Sequence, residues 1–183
     1  TAGLRTRGEA ITLTSTGDVT LATDLASGGA DINVAAGGAL TQGAGNVDGG
    51  TVRLGAGGGV NQAGAGVVRA DSLLVEAGTD SALQNAGNAV ASLAARSAGA
   101  FAYRNGGDLA IGRVTRAGGA AVDGIAAGGK VFVDVPAANL SLTQPVSGTG
   151  DGAGSNAVVL NAGKRFYNQA TPGSAAVVAN NGR

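Results

Sequence analysis

The feature that most limits the fold is a short apolar triplet that keeps returning along the chain. Ile11-Thr12-Leu13, Ile32-Asn33-Val34, Val52-Arg53-Leu54 and Leu73-Leu74-Val75 follow one another at steps of 21, 20 and 21. Between them runs a second series, Val19, Leu40, Val60 and Leu83, at steps of 21, 20 and 23. Three of these triplets alternate apolar, polar, apolar, as a strand with one buried face does. The repeat therefore carries two short apolar strands. A fixed period in this range marks a solenoid, in which each repeat buries its apolar face only against its neighbours. Six-residue sub-repeats, leucine-rich consensus positions and helical periodicity are all absent. The fold class expected is all-β: a right-handed parallel β-helix of roughly 20 residues per rung. At that spacing the chain makes roughly nine rungs and a rod on the order of 40 Å long.

Glycine supports ordered turns rather than low complexity. It contributes 35 of the 183 residues, against a usual share near ~7%. It clusters between the apolar triplets, at Gly28-Gly29, Gly37-Gly38, Gly49-Gly50 and Gly57-Gly58. Positive φ at recurring corners is the expected reason, with 28 matched to 49 and 37 to 57. Gln42 and Gln62 lie 20 apart, and Gln84 follows Leu83 in a similar place. These three are expected to form a structural amide ladder along the axis.

Beyond residue 84 the pattern grows heavier. Val90 to Ala95, Phe101-Ala102-Tyr103 and Leu109-Ala110-Ile111 read as strands. Residues 115–129 read as a loop plus a short rung side. Val131 to Val135 then resumes the pattern, at an interval of 22 from Leu109, and Leu140-Ser141-Leu142 completes that rung. Val133 and Leu160 are 27 apart, so 145–157 is expected to be an exposed loop bulging from one corner. Residues 170–183, small and polar, are expected to fray. The whole of 1–183 reads as one repeat domain, and as a piece of a longer chain because it opens and closes in mid-pattern.

Composition removes several kinds of chemistry. With no Cys there is no disulfide and no thiolate metal site, and with no His the commonest base and metal ligand are gone. Lys plus Arg equals Asp plus Glu at 12 each, so the basic excess of a nucleic-acid binder is missing. No apolar run approaches the roughly 18–20 residues that span a bilayer. Asp31, Asp48 and Asp71 fall near rung corners, where Asp is an ordinary turn residue, and no basic side chain recurs beside them at a matching interval. Gly148-Thr149-Gly150-Asp151-Gly152 is a single copy of a pattern that holds calcium only in tandem. Outward positions Thr12, Asn33, Arg53 and Thr20, Thr41, Asn61 are too mixed for an ice-binding array. No catalytic residue, cofactor-binding residue or metal ligand is assigned. All five aromatics, Phe101, Tyr103, Phe132, Phe166 and Tyr167, lie in the second half. They fit wider rungs, while Tyr103 or Tyr167, with Asp151 in the loop, is the candidate contact surface for a sugar or receptor.

Several phrases together resemble the passenger region of large bacterial exoproteins of the filamentous haemagglutinin type. They are Gly17 to Leu21, Gly57 to Val60, Asn85 to Val90, Gly107 to Gly112, Asn139 to Gln144 and Asn180 to Arg183. The resemblance covers nearly the whole chain. It implies a β-helical fibre segment, passed through an outer-membrane transporter by two-partner secretion and carried on the surface of a Gram-negative cell. The function it implies is adhesion, aggregation or biofilm formation, without catalysis. Implied partners are the continuation of its own chain, end-to-end copies, and surface glycans or proteins. A carbohydrate- or receptor-binding module is the alternative, and a polysaccharide-cleaving β-helix enzyme comes after it.

Overall fold

The computed structural model describes residues 3–150, 156–170 and 177–181. They form a β-solenoid of parallel strands, with no helix among them. The first coil is β1 (Leu4–Arg5), β2 (Ile11–Ser15) and β3 (Val19–Leu21). The second is β4 (Leu25–Ala26), β5 (Ile32–Ala36) and β6 (Leu40–Gln42). In the next three coils the first two strands merge. These are β7 (Val47–Ala56) with β8 (Val60–Gln62), β9 (Val68–Ala77) with β10 (Ser81–Leu83), and β11 (Ala89–Ser97) with β12 (Phe101–Arg104). The sixth coil holds β13 (Leu109–Ile111), a hairpin of β14 (Arg113–Thr115) and β15 (Ala121–Asp123), then β16 (Ile125–Ala127) and β17 (Val131–Val135). The seventh is β18 (Leu140–Leu142), β19 (Val146–Gly150) and β20 (Val158–Ala162). An eighth begins with β21 (Phe166–Asn168) and β22 (Val177–Asn181).

Each coil thus has three faces, not two. The first stacks β1, β4, the start of β7, β9 and β11, then β13, β18 and β21. The second stacks β2, β5, the end of β7, β9 and β11, then β16, β19 and β22. The third stacks β3, β6, β8, β10, β12, β17 and β20. The first face escapes the sequence pattern because its strands are two or three residues long or run straight into the second. Among the described residues seven coils are complete rather than nine, and the residues spent on the hairpin add no rung. At the usual strand spacing the stack is roughly 35 Å long.

The inward rows follow the repeat. Ile11, Ile32, Val52 and Leu73 pair in one register, and the last three are fully buried. Val19, Leu40 and Val60 stack as expected, but the next partner is Ser81, and Leu83 instead pairs with Tyr103. Leu109 pairs with Leu140, while Val131 pairs with Phe101. The interval of 22 from Leu109 to Val131 therefore joins two different faces. Phe101 and Tyr103 fill the interior with ring centroids 6.5 Å apart and planes 11° from parallel.

Two departures concern segments expected to be irregular. Residues 146–150 are a strand with Val146 in the core, paired to β16 on one side and β22 on the other. Asn156 and Ala157 lie outside any strand, and 151–155 of the expected 145–157 loop are outside the described residues. Within 170–183, residues 177–181 pair with β19. Residues 171–176 and 182–183 are also outside the described set.

The expected positive φ is found at Gly28 (+66°) and Gly29 (+95°), while glycine at the corner after the second face acts through closeness rather than torsion. Gly37, Gly57 and Gly78 follow the second-face strands of successive coils, and none has positive φ. A Cβ on Gly57 would lie 2.3 Å from the Gly37 carbonyl oxygen, and one on Gly78 2.0 Å from that of Gly57. The coils approach too closely there for any side chain. Gly124 combines both needs, with φ at +65° and an added Cβ 1.9 Å from the Pro145 carbonyl oxygen.

Candidate functional site

The expected amide ladder exists, with a different third member. Gln62 Nε2 donates to Gln42 Oε1 at 3.0 Å and to Asn88 Oδ1 at 2.9 Å, while Asn88 Nδ2 donates back to Gln62 Oε1 at 3.0 Å. Gln84 is solvent-exposed. Leu83 takes the strand position above Gln62, and Asn88 reaches the amide row from the corner leading to the next coil. Asn88 and Gln42 are buried, and their backbone partners include Val68 N, Val67 O and Gly45 O. Buried amides of this kind are held by full satisfaction of their donors and acceptors.

Tyr103 belongs to the same interior. It is fully buried, and its hydroxyl donates to Asn105 Oδ1 at 3.0 Å. Asn105 in turn accepts from Val90 N and donates to Val90 O and Gly107 O. Burial pushes the Tyr103 phenol above its ordinary value, because the charged form would lose its hydration. Tyr103 therefore cannot be a contact residue. Its place beside Phe101 follows from strand alternation, which sends 101 and 103 to the same side. Asp151 lies outside the described residues.

Tyr167 is on the surface. Strand β21 pairs Phe166 with Leu140 of the core row and Tyr167 with Ser141, so the two aromatic neighbours occupy opposite sides of the strand. Tyr167 borders a shallow depression of about 340 Å³ on the first face, with Asp108, Ala110, Asn139, Ser141 and Gln169. Asp108 Oδ1 accepts the backbone N–H of Asn139 at 2.9 Å and its amide at 3.0 Å, and Oδ2 accepts the same amide at 3.1 Å. These bonds to Asn139, aided by Lys164, hold the Asp108 carboxyl below its ordinary range. Arg165 Nη1 donates to the Tyr167 hydroxyl at 3.3 Å. Asp108, Asn139, Ser141 and Gln169 were not singled out by sequence. The spacing of 31 between Asp108 and Asn139 hides a one-coil step, because the hairpin lies between them.

A second surface feature surrounds that hairpin. Val114 and Val122 pack over Leu74 and Ala94, which face outward from the coil, and together form a small apolar cluster separate from the main core. Arg116 grips Glu76 through two nitrogens at 2.7–3.1 Å. Arg53 donates to the Thr115 carbonyl at 2.6 Å and to Asp31 Oδ2 at 2.8 Å. Arg113 pairs with Asp123 across the hairpin at 3.0 Å; the hydrogen bonds and charge of this pair lower the Asp123 carboxyl and raise the Arg113 guanidinium. A groove of about 170 Å³ runs beside the arm past Thr14, Ala35, Gly55 and Ala117.

The acids near the corners do have basic neighbours, contrary to the sequence expectation. Asp31 is bound by Arg53, and Asp48 pairs in register with Arg69 on the next coil. Strand pairing sets Asp48 beside Arg69 at a step of 21, while Arg53, paired with Asn33, reaches diagonally to Asp31 at a step of 22.

No protein-family model matches this chain, and neither the curated proteins nor the solved structures hold a significant match.

Proposed function

We propose that this chain is a non-catalytic shaft segment of a secreted bacterial surface exoprotein, serving adhesion, aggregation or biofilm. The observation that carries the reading is the uninterrupted parallel ladder. Its inward rows keep register from β2 to β19, across one lengthened coil as well as the regular ones. A stack of that kind is a spacer: length is added coil by coil, and side chains can be displayed at its corners and faces without cost to the core. Among the described residues the strands of the first coil, and β20, β21 and β22, pair on one side only. Such edges suit further coils of the same chain or end-to-end copies. The secreted, Gram-negative location and the outer-membrane transporter rest on the filamentous haemagglutinin resemblance.

The test is adhesion by the intact chain. Beads coated with it should attach to epithelial monolayers, or to bacterial lawns, several times more often than albumin-coated beads. Equal attachment would overturn the adhesive reading, and release of reducing ends from a polysaccharide panel would replace it with the enzymatic one. A carbohydrate- or receptor-binding module is the second reading, favoured by the exposed Tyr167 depression.

A further inference from the structure

We propose that the depression on the first face between Asp108 and Gln169 is a glycan-binding site, taking a short run of neutral pyranose residues laid along the solenoid axis. The inference rests on the adhesive reading and gives it a place and a ligand class.

The site is built by register. Ala110, Ser141 and Tyr167 occupy one row on three consecutive coils. Asp108 and Asn139 precede Leu109 and Leu140, which are paired, and so lie one coil apart on a neighbouring row. Coils are about 4.8 Å apart, so the distance from the Asp108 level to the Tyr167 level is roughly 10 Å. That matches about two pyranose rings in a chain.

Each part has a use. Ala91 and Ala110 have short side chains and form a low floor. Tyr167 is 39% exposed and offers a ring against which the C–H face of a sugar can stack. Arg165 holds the phenol oxygen, which restrains the ring in advance. Asp108 is an ionised carboxylate oriented by Asn139, with acceptor capacity left over. Hydroxyl groups donating to an ionised acceptor make stronger bonds than those to a neutral one. The Gln169 amide supplies a donor and an acceptor at the other end, and the Ser141 hydroxyl, which donates to Leu109 O at 3.5 Å, adds an acceptor on the middle coil. The Asp108 carboxylate opposes a uronic or sulfate group set against it, with Lys164 and Arg165 the nearby cations, and admits neutral sugars. The volume, about 340 Å³, is within the range of small-ligand sites.

The experiment is calorimetric titration of the intact chain with neutral trisaccharides (maltotriose, cellotriose, chitotriose and a β-galactotriose) and, for contrast, oligogalacturonate and heparin fragments. At least one neutral trisaccharide should bind. Tyr167→Ala should weaken it by about tenfold or more with circular dichroism unchanged, and Tyr167→Phe should recover most of that loss because the ring is restored. Asp108→Asn should weaken binding as well. No neutral binding below about 10 mM, binding of the acidic sugars alone, or a Tyr167→Ala variant that binds like the parent would each overturn the site. The bead assay separates the two readings. If Tyr167→Ala beads adhere as well as the parent, the site falls and the adhesive shaft stands. If parent beads do not adhere while the soluble sugar binds, the shaft reading falls and the site stands.

Discussion

Coils two to five and coils six to eight use one core in two ways. In the earlier group paired positions on successive coils are separated by steps of 20, 21 or 22, and β7, β9 and β11 run through the corner between the first two faces without a break. In the later group the same corner is opened. Leu93 and Ala95 are two positions apart, while their partners on the next coil, Ile111 and Ile125, are 14 apart. The extra chain leaves the ladder as a hairpin and returns to it in register. The inward rows do not record the insertion, because each row is set by apolar side chains stacking on the coil before. The cost is met outside, where Val114 and Val122 cover Leu74 and Ala94. A parallel ladder therefore tolerates decoration at a corner far better than within a strand.

The comparison can be broken at the core. Leu73→Ala, in a fully buried row of the regular part, should lower the unfolding free energy by about 2–5 kcal/mol. Phe166→Ala, at an inward-row position of the last coil but 48% exposed, should cost less than about 1 kcal/mol. Urea titration of both variants measures the contrast; equal losses would mean that Phe166 is packed as fully as Leu73.

Asn88→Ala tests whether the buried amides matter as much as the apolar rows. It takes one partner from each end of the Gln62 amide, which keeps Gln42 and Asn85, and strands the Val68 N–H, so a loss of about 1–3 kcal/mol is expected. A smaller loss would indicate that water replaces Asn88.

Removing residues 113–124 sharpens the comparison most directly. The junction becomes Ile111-Gly112-Ile125, with the spacing of Leu93-Ala94-Ala95. The shortened chain should keep its far-ultraviolet strand signal and lose about 1–3 kcal/mol from uncovering Leu74. Collapse of the strand signal would show that the hairpin holds the ladder together.

The smallest effects are those of pH. The Asp108 and Asp123 carboxyls are lowered from 3.8. Their stabilisation is complete above that value and is lost as pH falls below it, through the depressed value of the folded chain. Asp108 is exposed and Asp123 partly so, and acid melting should shift only slightly in Asp108→Asn. The Tyr103 phenol is raised from 10.0. Its contribution is intact below pH 10 and is lost as pH rises above it, when the unfolded chain ionises first. Tyr103→Phe should remove that alkaline sensitivity in a thermal melt series from about pH 9 to 11.

The repeat in Ile11, Ile32, Val52 and Leu73 was enough to determine a parallel solenoid and the period of its coils, since a period and an alternation are local properties written in order along the chain. The link between Gln42 and Gln62 was legible for the same reason. The first face was not, because its strands are two or three residues long or run straight into the second, and so leave no triplet of their own. Residue type suggested Tyr103 as a contact and Gln84 as a ladder member. Stacking buried the first and put Asn88 in place of the second. Asp108, Asn139 and Tyr167 share a surface because β13, β18 and β21 stack in register, although a hairpin leaves and rejoins the coil between the first two. Such neighbours are separated by variable lengths of chain, and only the hydrogen-bonded register of the folded ladder brings them together.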